Sequence, residues 1–134
     1  MSLSDMAAFK AVVGIDPDAY AAATTDGAGI DTKGYHQALV IVSAGDITTS
    51  LDVKVQQSSD NGSGDAFADI TGAAFTQILA AADNVVAVGR INLDETERYI
   101  RISATSVGAT CDYGVAVIMS PYFTGNGSTF DFEV

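Results

Sequence analysis

The sequence predicts an all-β fold, an antiparallel β-sandwich or jelly roll with a short N-terminal helix or arm. Roughly seven or eight short apolar segments recur about every ten residues, and clusters of turn residues separate them. No helical pattern of about 10 to 15 residues lies between these segments, which disfavours a parallel α/β fold. A chain of 134 residues is long enough to bury one core.

The N-terminal part of the chain, residues 1–29, is predicted to be an arm that begins with a short helix. Met6, Phe9 and Val13 are spaced as one apolar stripe of a helix. The Asp-Pro-Asp sequence at residues 16–18 is expected to end that helix. The small polar residues that follow have no apolar periodicity, so we predict a loop or an extended arm.

Residues 30–120 are predicted to form the sandwich domain. The continuous apolar run at residues 38–42 is typical of a central strand that is covered on both faces. Leu51, Val53 and Val55 alternate with polar residues, which indicates a strand with one buried face. Three further strands are predicted at residues 85–93, 98–105 and 111–119, with shorter β segments at 67–70 and 75–79 and a helical turn at 80–83.

Residues 121–134 are predicted to form an aromatic hairpin or extension. Tyr122, Phe123, Phe130 and Phe132 lie on either side of a Gly-Asn-Gly turn sequence. These aromatic side chains either contact a partner or cap the core of the sandwich itself.

Charge and composition bear on the partners of the protein and on where it is made. The chain has 17 acidic and 6 basic residues and a net charge of −11, so a phosphate backbone would repel it, and we expect no nucleic acid partner. The apolar runs are far shorter than the about 20 residues of a membrane span, and we expect no membrane partner. A single cysteine and the lack of a signal-peptide pattern predict synthesis in a reducing cytoplasm.

Residues that could carry chemistry are few. His36 is the only histidine, and a thiolate-imidazole pair with Cys111 would require the fold to bring the two together. The carboxylates of residues 94–97 lie in a turn, where charge is normally solvated. The oxygen-rich turn at residues 60–65 lacks the ligand spacing of a calcium-binding loop. We therefore predict no enzyme activity, no cofactor and no metal site.

Several short motifs resemble small capsid decoration, or cement, proteins of tailed phages that are encoded beside the major capsid protein. The motifs are Asp-Thr-Lys-Gly-Tyr at residues 31–35, Val-Lys-Val-Gln at 53–56 running into Ser-Ser-Asp at 58–60, Phe-Ala-Asp-Ile at 67–70 and Glu-Arg-Tyr-Ile-Arg at 97–101. The resemblance covers about residues 30 to 120 and consists of strand and turn patterns.

This resemblance implies a non-enzymatic protein that binds the outer head surface and stabilises the capsid lattice. It further implies the major capsid protein as partner, a homotrimer, and a place on the outer capsid surface of the virion after synthesis in the host bacterial cytoplasm. The apolar ends of the chain lie outside the resemblance, and we predict them as capsid or oligomer contacts. These contact residues are Met6, Phe9, Tyr20, Tyr122, Phe123, Phe130 and Phe132.

An alternative from another class is a ligand- or carbohydrate-binding β-sandwich of a phage tail fibre or cell surface. The absence of tryptophan weakens a platform for sugar stacking, although tyrosine and phenylalanine can also stack. A small hydrolase with a site assembled from distant loops is a third possibility, for which the sequence contains no Gly-x-Ser-x-Gly motif.

Overall fold

Two β-sheets packed face to face form the fold, which confirms the predicted β-sandwich. The computed structural model describes residues 8–121 and 130–134. The strands are β1 (Lys10–Tyr20), β2 (Ala23–Asp26), β3 (Ile30–Asp31), β4 (Gln37–Ile47), β5 (Ser50–Ser58), β6 (Ala68–Ala74), β7 (Ile78–Leu79), β8 (Val85–Asn92), β9 (Tyr99–Val107), β10 (Cys111–Ser120) and β11 (Phe132–Glu133). Two 3₁₀ turns lie at Ala80–Ala82 and Leu93–Glu95.

The two sheets differ in strand order. Sheet A has five strands in the order β1-β10-β4-β8-β11, and sheet B has six strands, with β2-β9-β5-β6 as its main path. In sheet B, β3 also pairs with β9, and β7 pairs with β5. All pairs are antiparallel except that of β11 with β8.

The predicted N-terminal helix is wrong for the residues that the structure describes. Val13 lies in β1, which pairs with β10 from Lys10 opposite Met119 to Tyr20 opposite Cys111. The β-branched residues of this segment favour extended backbone, and pairing with β10 supplies hydrogen bonds and burial that a short isolated helix lacks. Met6 lies outside the described residues.

The Asp-Pro-Asp sequence at residues 16–18 bends β1 without ending it. Two irregularities interrupt the pairing of β1 with β10, one between Val13 and Ile15 and one between Ile15 and Asp18. Each adds one residue to β1 relative to its partner, as a β-bulge does. Proline is tolerated here because β1 is an edge strand and Pro17 lies at a bulge.

The predicted loop after residue 20 contains two short strands, β2 and β3, which both pair with β9. Arg98 anchors β3, because its Nε and Nη2 atoms donate to the two carboxylate oxygens of Asp31 at 2.9 and 2.8 Å. This hydrogen bonding, together with that from the Lys33 amide, lowers the pKa of Asp31 to about 2. The polar residues of β2 suit a strand with a solvated face, which explains why no apolar periodicity marked it.

The division of the chain after residues 29 and 120 stays a prediction.

The strands predicted between residues 35 and 120 are confirmed. The run at residues 38–42 belongs to β4, the central strand of sheet A. Leu51, Val53 and Val55 of β5 are buried, and they meet the inward residues of sheet A across the core. The predicted helical turn near residue 80 is a 3₁₀ turn.

The C-terminal residues close one edge of the core. β11 lies parallel to β8 with Phe132 opposite Gly89, and the Phe132 ring also packs edge-on against Phe75 with centroids 4.9 Å apart. A side chain at residue 89 would collide with this ring, because a Cβ built there lies 2.3 Å from the Phe132 Cε1 atom. The predicted turn at residues 125–127 lies outside the described residues.

We expect Phe132→Ala to lower the free energy of unfolding by about 3 to 4 kcal/mol, because it leaves a cavity between Phe75 and Gly89. Phe132→Leu keeps most of the buried volume and should cost about 1 kcal/mol. Urea denaturation followed by circular dichroism measures both values. Equal small losses in the two variants would show that Phe132 is not part of the core.

Candidate interaction surface

The outer face of sheet A is built from three rows of residues that lie opposite one another on adjacent strands. Directly paired residues of antiparallel strands point to the same side of a sheet, so each row shares one face. The middle row is Val13, Ala116, Ile41 and Val88. One flanking row is Ala11, Ile118, Leu39 and Arg90, and the other is Gly114, Ser43 and Val86. We call these three rows the apolar face.

The apolar face is open to solvent and almost uncharged. Val13 and Val86 have 57% and 64% of their surface exposed, and Ala116 at the centre of the face is also exposed. Arg90 is the one charged residue of the three rows, and its Nη1 donates to Glu133 Oε1 of β11 at 2.7 Å. Apolar patches of this kind on monomeric proteins are often functional.

The outer face of sheet B has the opposite character. Lys54 Nζ lies 3.0 Å from Asp69 Oδ2, and Arg101 Nη2 lies 3.4 Å from Asp26 Oδ2. Lys54 and Arg101 belong to β5 and β9, the central pair of that sheet, and point away from the core. Sheet B therefore presents a solvated, ion-paired face, as half-buried antiparallel sheets commonly do.

A groove crosses one end of the apolar face. The bulged part of β1 folds over β10 so closely that a Cβ built on Gly114 would lie 2.8 Å from the Pro17 Cα atom. Glycine at residue 114 is therefore required for the approach. The groove has a volume of about 580 Å³ and is lined mainly by apolar side chains, among them Val13, Ile41 and Ala116.

Aspartates border this end of the face. Asp18 and Asp112 line the groove, Asp16 precedes Pro17, and Asp46 follows the groove residue Gly45. All four aspartates are exposed, and none takes part in the ion pairs found among the described residues. We call them the acidic border.

The structure does not gather the predicted contact residues into one surface. Phe9 precedes β1 and Tyr20 ends it, so they lie at opposite ends of an eleven-residue strand. The Tyr20 ring packs on Tyr113 with centroids 4.6 Å apart, and its hydroxyl donates to the Asp16 carbonyl at 2.5 Å. Burial, followed by the charges of Asp16 and Asp18, raises the pKa of Tyr20.

At the C-terminus, Phe130 is partly exposed, whereas Phe132 is buried in the core. Met6, Tyr122 and Phe123 lie outside the described residues. A contact role for any of the seven residues stays a prediction.

Sequence reasoning missed the apolar face, although a signal for it was present. The run at residues 38–42 and the run at residues 85–88 are apolar at consecutive positions, so both sides of each strand carry apolar side chains. Such runs indicate a strand that is covered on both faces. In the described structure, the sandwich core covers one of these faces.

His36 and Cys111 are far apart. His36 precedes β4, where its backbone NH donates to the Ser120 carbonyl at the end of β10, whereas Cys111 begins β10. Nine residue steps of a strand separate these ends by about 30 Å, so the two side chains cannot pair. His36 Nδ1 instead lies 2.9 Å from Asp94 Oδ1, and Cys111 is fully buried.

In the oxygen-rich turn at residues 60–65, the carboxylate of Asp60 is hydrogen-bonded to backbone amides of the same turn. The Asp60 carboxylate accepts hydrogen bonds from the amides of Ser63, Gly64 and Asp65 at 2.7 to 3.0 Å, and those from Asp65 and Gly64 contribute most to lowering its pKa. Within residues 8–121 and 130–134, no three His, Cys, Asp or Glu side chains are grouped to hold a metal ion. The described part of the chain contains no apolar helix of membrane-spanning length.

Comparison with known proteins identifies the fold only. No family model matches the chain, and no curated protein matches it. Among solved structures, the SPBc2 prophage-derived protein YomS is similar over 83% of this chain and 91% of its own, with 12% identity and a TM-score of 0.55. The VP2 subviral particle of infectious bursal disease virus is similar over 84% of this chain and 32% of its own, with 9% identity and a TM-score of 0.49.

A third similar structure belongs to the Bacillus endospore appendages, described as disulfide-linked pili. It covers 84% of this chain and 87% of its own, with 12% identity and a TM-score of 0.49. At these identities, the likeness to YomS supports the β-sandwich fold and carries no residue role.

Replacing Val13 and Val86 together by lysine should raise solubility without loss of stability, because both side chains are mostly exposed. We expect precipitation by ammonium sulfate to require a higher salt concentration, with the free energy of unfolding changed by less than about 0.5 kcal/mol per site. The buried-site control Val40→Lys should prevent folding or lower stability by several kcal/mol. Unchanged precipitation of the double variant would show that the apolar face is covered.

A second prediction concerns how Glu97, which lies near Asp60 and Asp65, makes the stability of the fold depend on pH. Glu97 forms a side-chain hydrogen bond with Asp65. This hydrogen bond, then burial and the charges of Asp65 and Asp60, raise the pKa of Glu97 above its unfolded value of about 4.3. Ionised Glu97 therefore destabilises the fold above that pH, and the penalty disappears as the pH falls below it.

Glu97→Gln should consequently raise the melting temperature at pH 7 and have little effect near pH 4. The exposed neighbour Glu95 provides the matched control, because Glu95→Gln should change little at either pH. Thermal unfolding at the two pH values measures both variants. An equal effect of Glu97→Gln at pH 4 and pH 7 would contradict the assigned charge interaction.

Proposed function

We propose that this chain is a structural protein of a tailed-phage virion, a decoration protein that binds the outer head surface and stabilises the capsid lattice without catalysis. The observation that carries the proposal is the apolar face, a largely apolar outer surface of sheet A whose one charged residue, Arg90, is paired with Glu133. A surface of this kind suits protein contact, since burial of apolar area drives association.

Two further observations support a virion role. The strand and turn motifs between residues 30 and 120 resemble phage decoration proteins, and the sandwich is similar to that of a prophage-derived protein. The partner in this proposal is the major capsid protein, and the copies associate as homotrimers on the outside of the head.

In this mechanism, each bound copy stabilises the shell by adding contacts to its subunits. Each copy buries apolar area against neighbouring capsid subunits, and these contacts must break before the shell can open. Copies linked in a trimer bind with a higher effective concentration than single copies, so modest individual contacts give stable occupancy. A net charge of −11 keeps the unbound protein soluble despite its apolar face.

The carbohydrate-binding alternative receives no support from the groove. Sugar sites usually combine stacking aromatics with several convergent polar groups. Tyr113 is the aromatic residue among those that line the groove, and it is buried with 3% exposure. Its inward ring offers no platform for a sugar at this place.

The test of the proposal is quantitation of this protein by mass spectrometry in purified virions of its source, relative to the major capsid protein. Decoration of the whole lattice predicts a ratio near one, because equivalent sites repeat over the shell. Sedimentation of the isolated protein measures whether it is trimeric. Absence from the virion, or only a few copies per particle, would contradict a decoration role.

A further inference from the structure

We infer that the apolar face and its acidic border together form the surface that docks on the head. The matching surface of the shell is then an apolar patch with lysine and arginine side chains along one side. This inference rests on the proposed function and specifies both the docking face and the chemistry of its partner.

The size of the apolar face suits the centre of a protein interface. Two rows of four residues and one row of three cover up to about 20 Å by 20 Å, on the order of 400 Å², from ordinary strand spacings. Apolar patches of roughly 300 to 600 Å² on monomers are often functional. A standard interface buries about 800 Å² per partner, so a polar rim must contribute the remainder.

The acidic border supplies one side of that rim. Asp16, Asp18, Asp46 and Asp112 are exposed, and the ion pairs among the described residues involve other carboxylates. Cations at the matching place on the partner would complete the charge pattern and orient the docking. On sheet B, by contrast, Asp26 and Asp69 already have their cations within this chain.

A second copy of this chain is a poor match for the same surface. Stacking two apolar faces about a twofold axis along the strands would oppose the two acidic borders, and an axis across the strands would oppose each border to the other end of the face. The charged residue of the apolar face at that end is Arg90, which already pairs with Glu133.

The experiment uses heads assembled without this protein, to which the purified full-length chain is added. Ala116→Glu places a charge at the exposed centre of the apolar face, and the control Thr105→Glu places the same charge on the outer face of sheet B. The bound protein is sedimented with the heads and quantified, and melting temperatures of all variants are compared.

We expect Ala116→Glu to weaken binding at least tenfold, while Thr105→Glu binds like the unmodified chain. The paired substitution Asp16→Lys with Asp112→Lys should weaken binding severalfold and reduce its dependence on salt, because it removes the attraction to the basic side of the partner. Asp52→Lys, on the outer face of sheet B, is the matched control and should have no such effect.

Several outcomes would overturn the inference. If the unmodified chain binds and Ala116→Glu binds equally well, the docking face lies elsewhere while the proposed function stands. If Ala116→Glu unfolds the protein while the controls remain folded, residue 116 is not open to a partner. Loss of self-association in this variant, with head binding intact, would assign the face to a second copy. Failure of the unmodified chain to bind heads would reject the proposed function itself.

Discussion

The register of β10 between β1 and β4 is the constraint on which both the core and the candidate surface depend. This register turns Val115, Val117 and Met119 towards sheet B, where they are buried. It turns Ala116 and Ile118 to the outside between the outward residues of β1 and β4. A slip of one residue would exchange these two sets, so the same pairing specifies the folding core and the external face.

The outer faces of the two sheets differ in polarity. In β5, apolar Val53 alternates with polar Asp52 and Lys54, so water can solvate the outside of sheet B. In β4, apolar side chains continue from one position to the next, and Leu39 and Ile41 point outwards. Because the core needs only one face of a sheet, the second apolar face requires a different explanation, and the proposed association with another protein is one.

Prediction from sequence succeeded where one local pattern was sufficient. Alternation identified β5, and continuous apolar character identified β4 as central, although among the described residues the core covers only the inward face of β4. The N-terminal prediction failed because the spacing of Met6, Phe9 and Val13 fits a helix, whereas β1 is specified by pairing with a strand about a hundred residues later. A pairing that distant leaves no local signal.

The candidate surface escaped prediction for a related reason. Aromatic residues near the chain ends were predicted as contact residues from their residue type alone, and one of them, Phe132, lies in the core. The apolar face instead consists of small and β-branched residues from four strands, including Val13, Ala116 and Val88. Each residue is unremarkable alone, and only the register across β1, β10, β4 and β8 assembles them.

The bulges of β1 shape both the exposed edge of sheet A and the groove beside the apolar face. An exposed edge strand beside an apolar surface invites pairing with other chains, and β1 is such an edge. Two irregularities in its pairing and Pro17 interrupt the regular row of hydrogen-bonding groups along that edge. The same bend carries Pro17 over Gly114 and places Asp18 in the lining of the groove. A single local distortion therefore hinders strand addition at the edge, forms one wall of the groove and places acidic charge beside it, while the apolar face remains accessible from above.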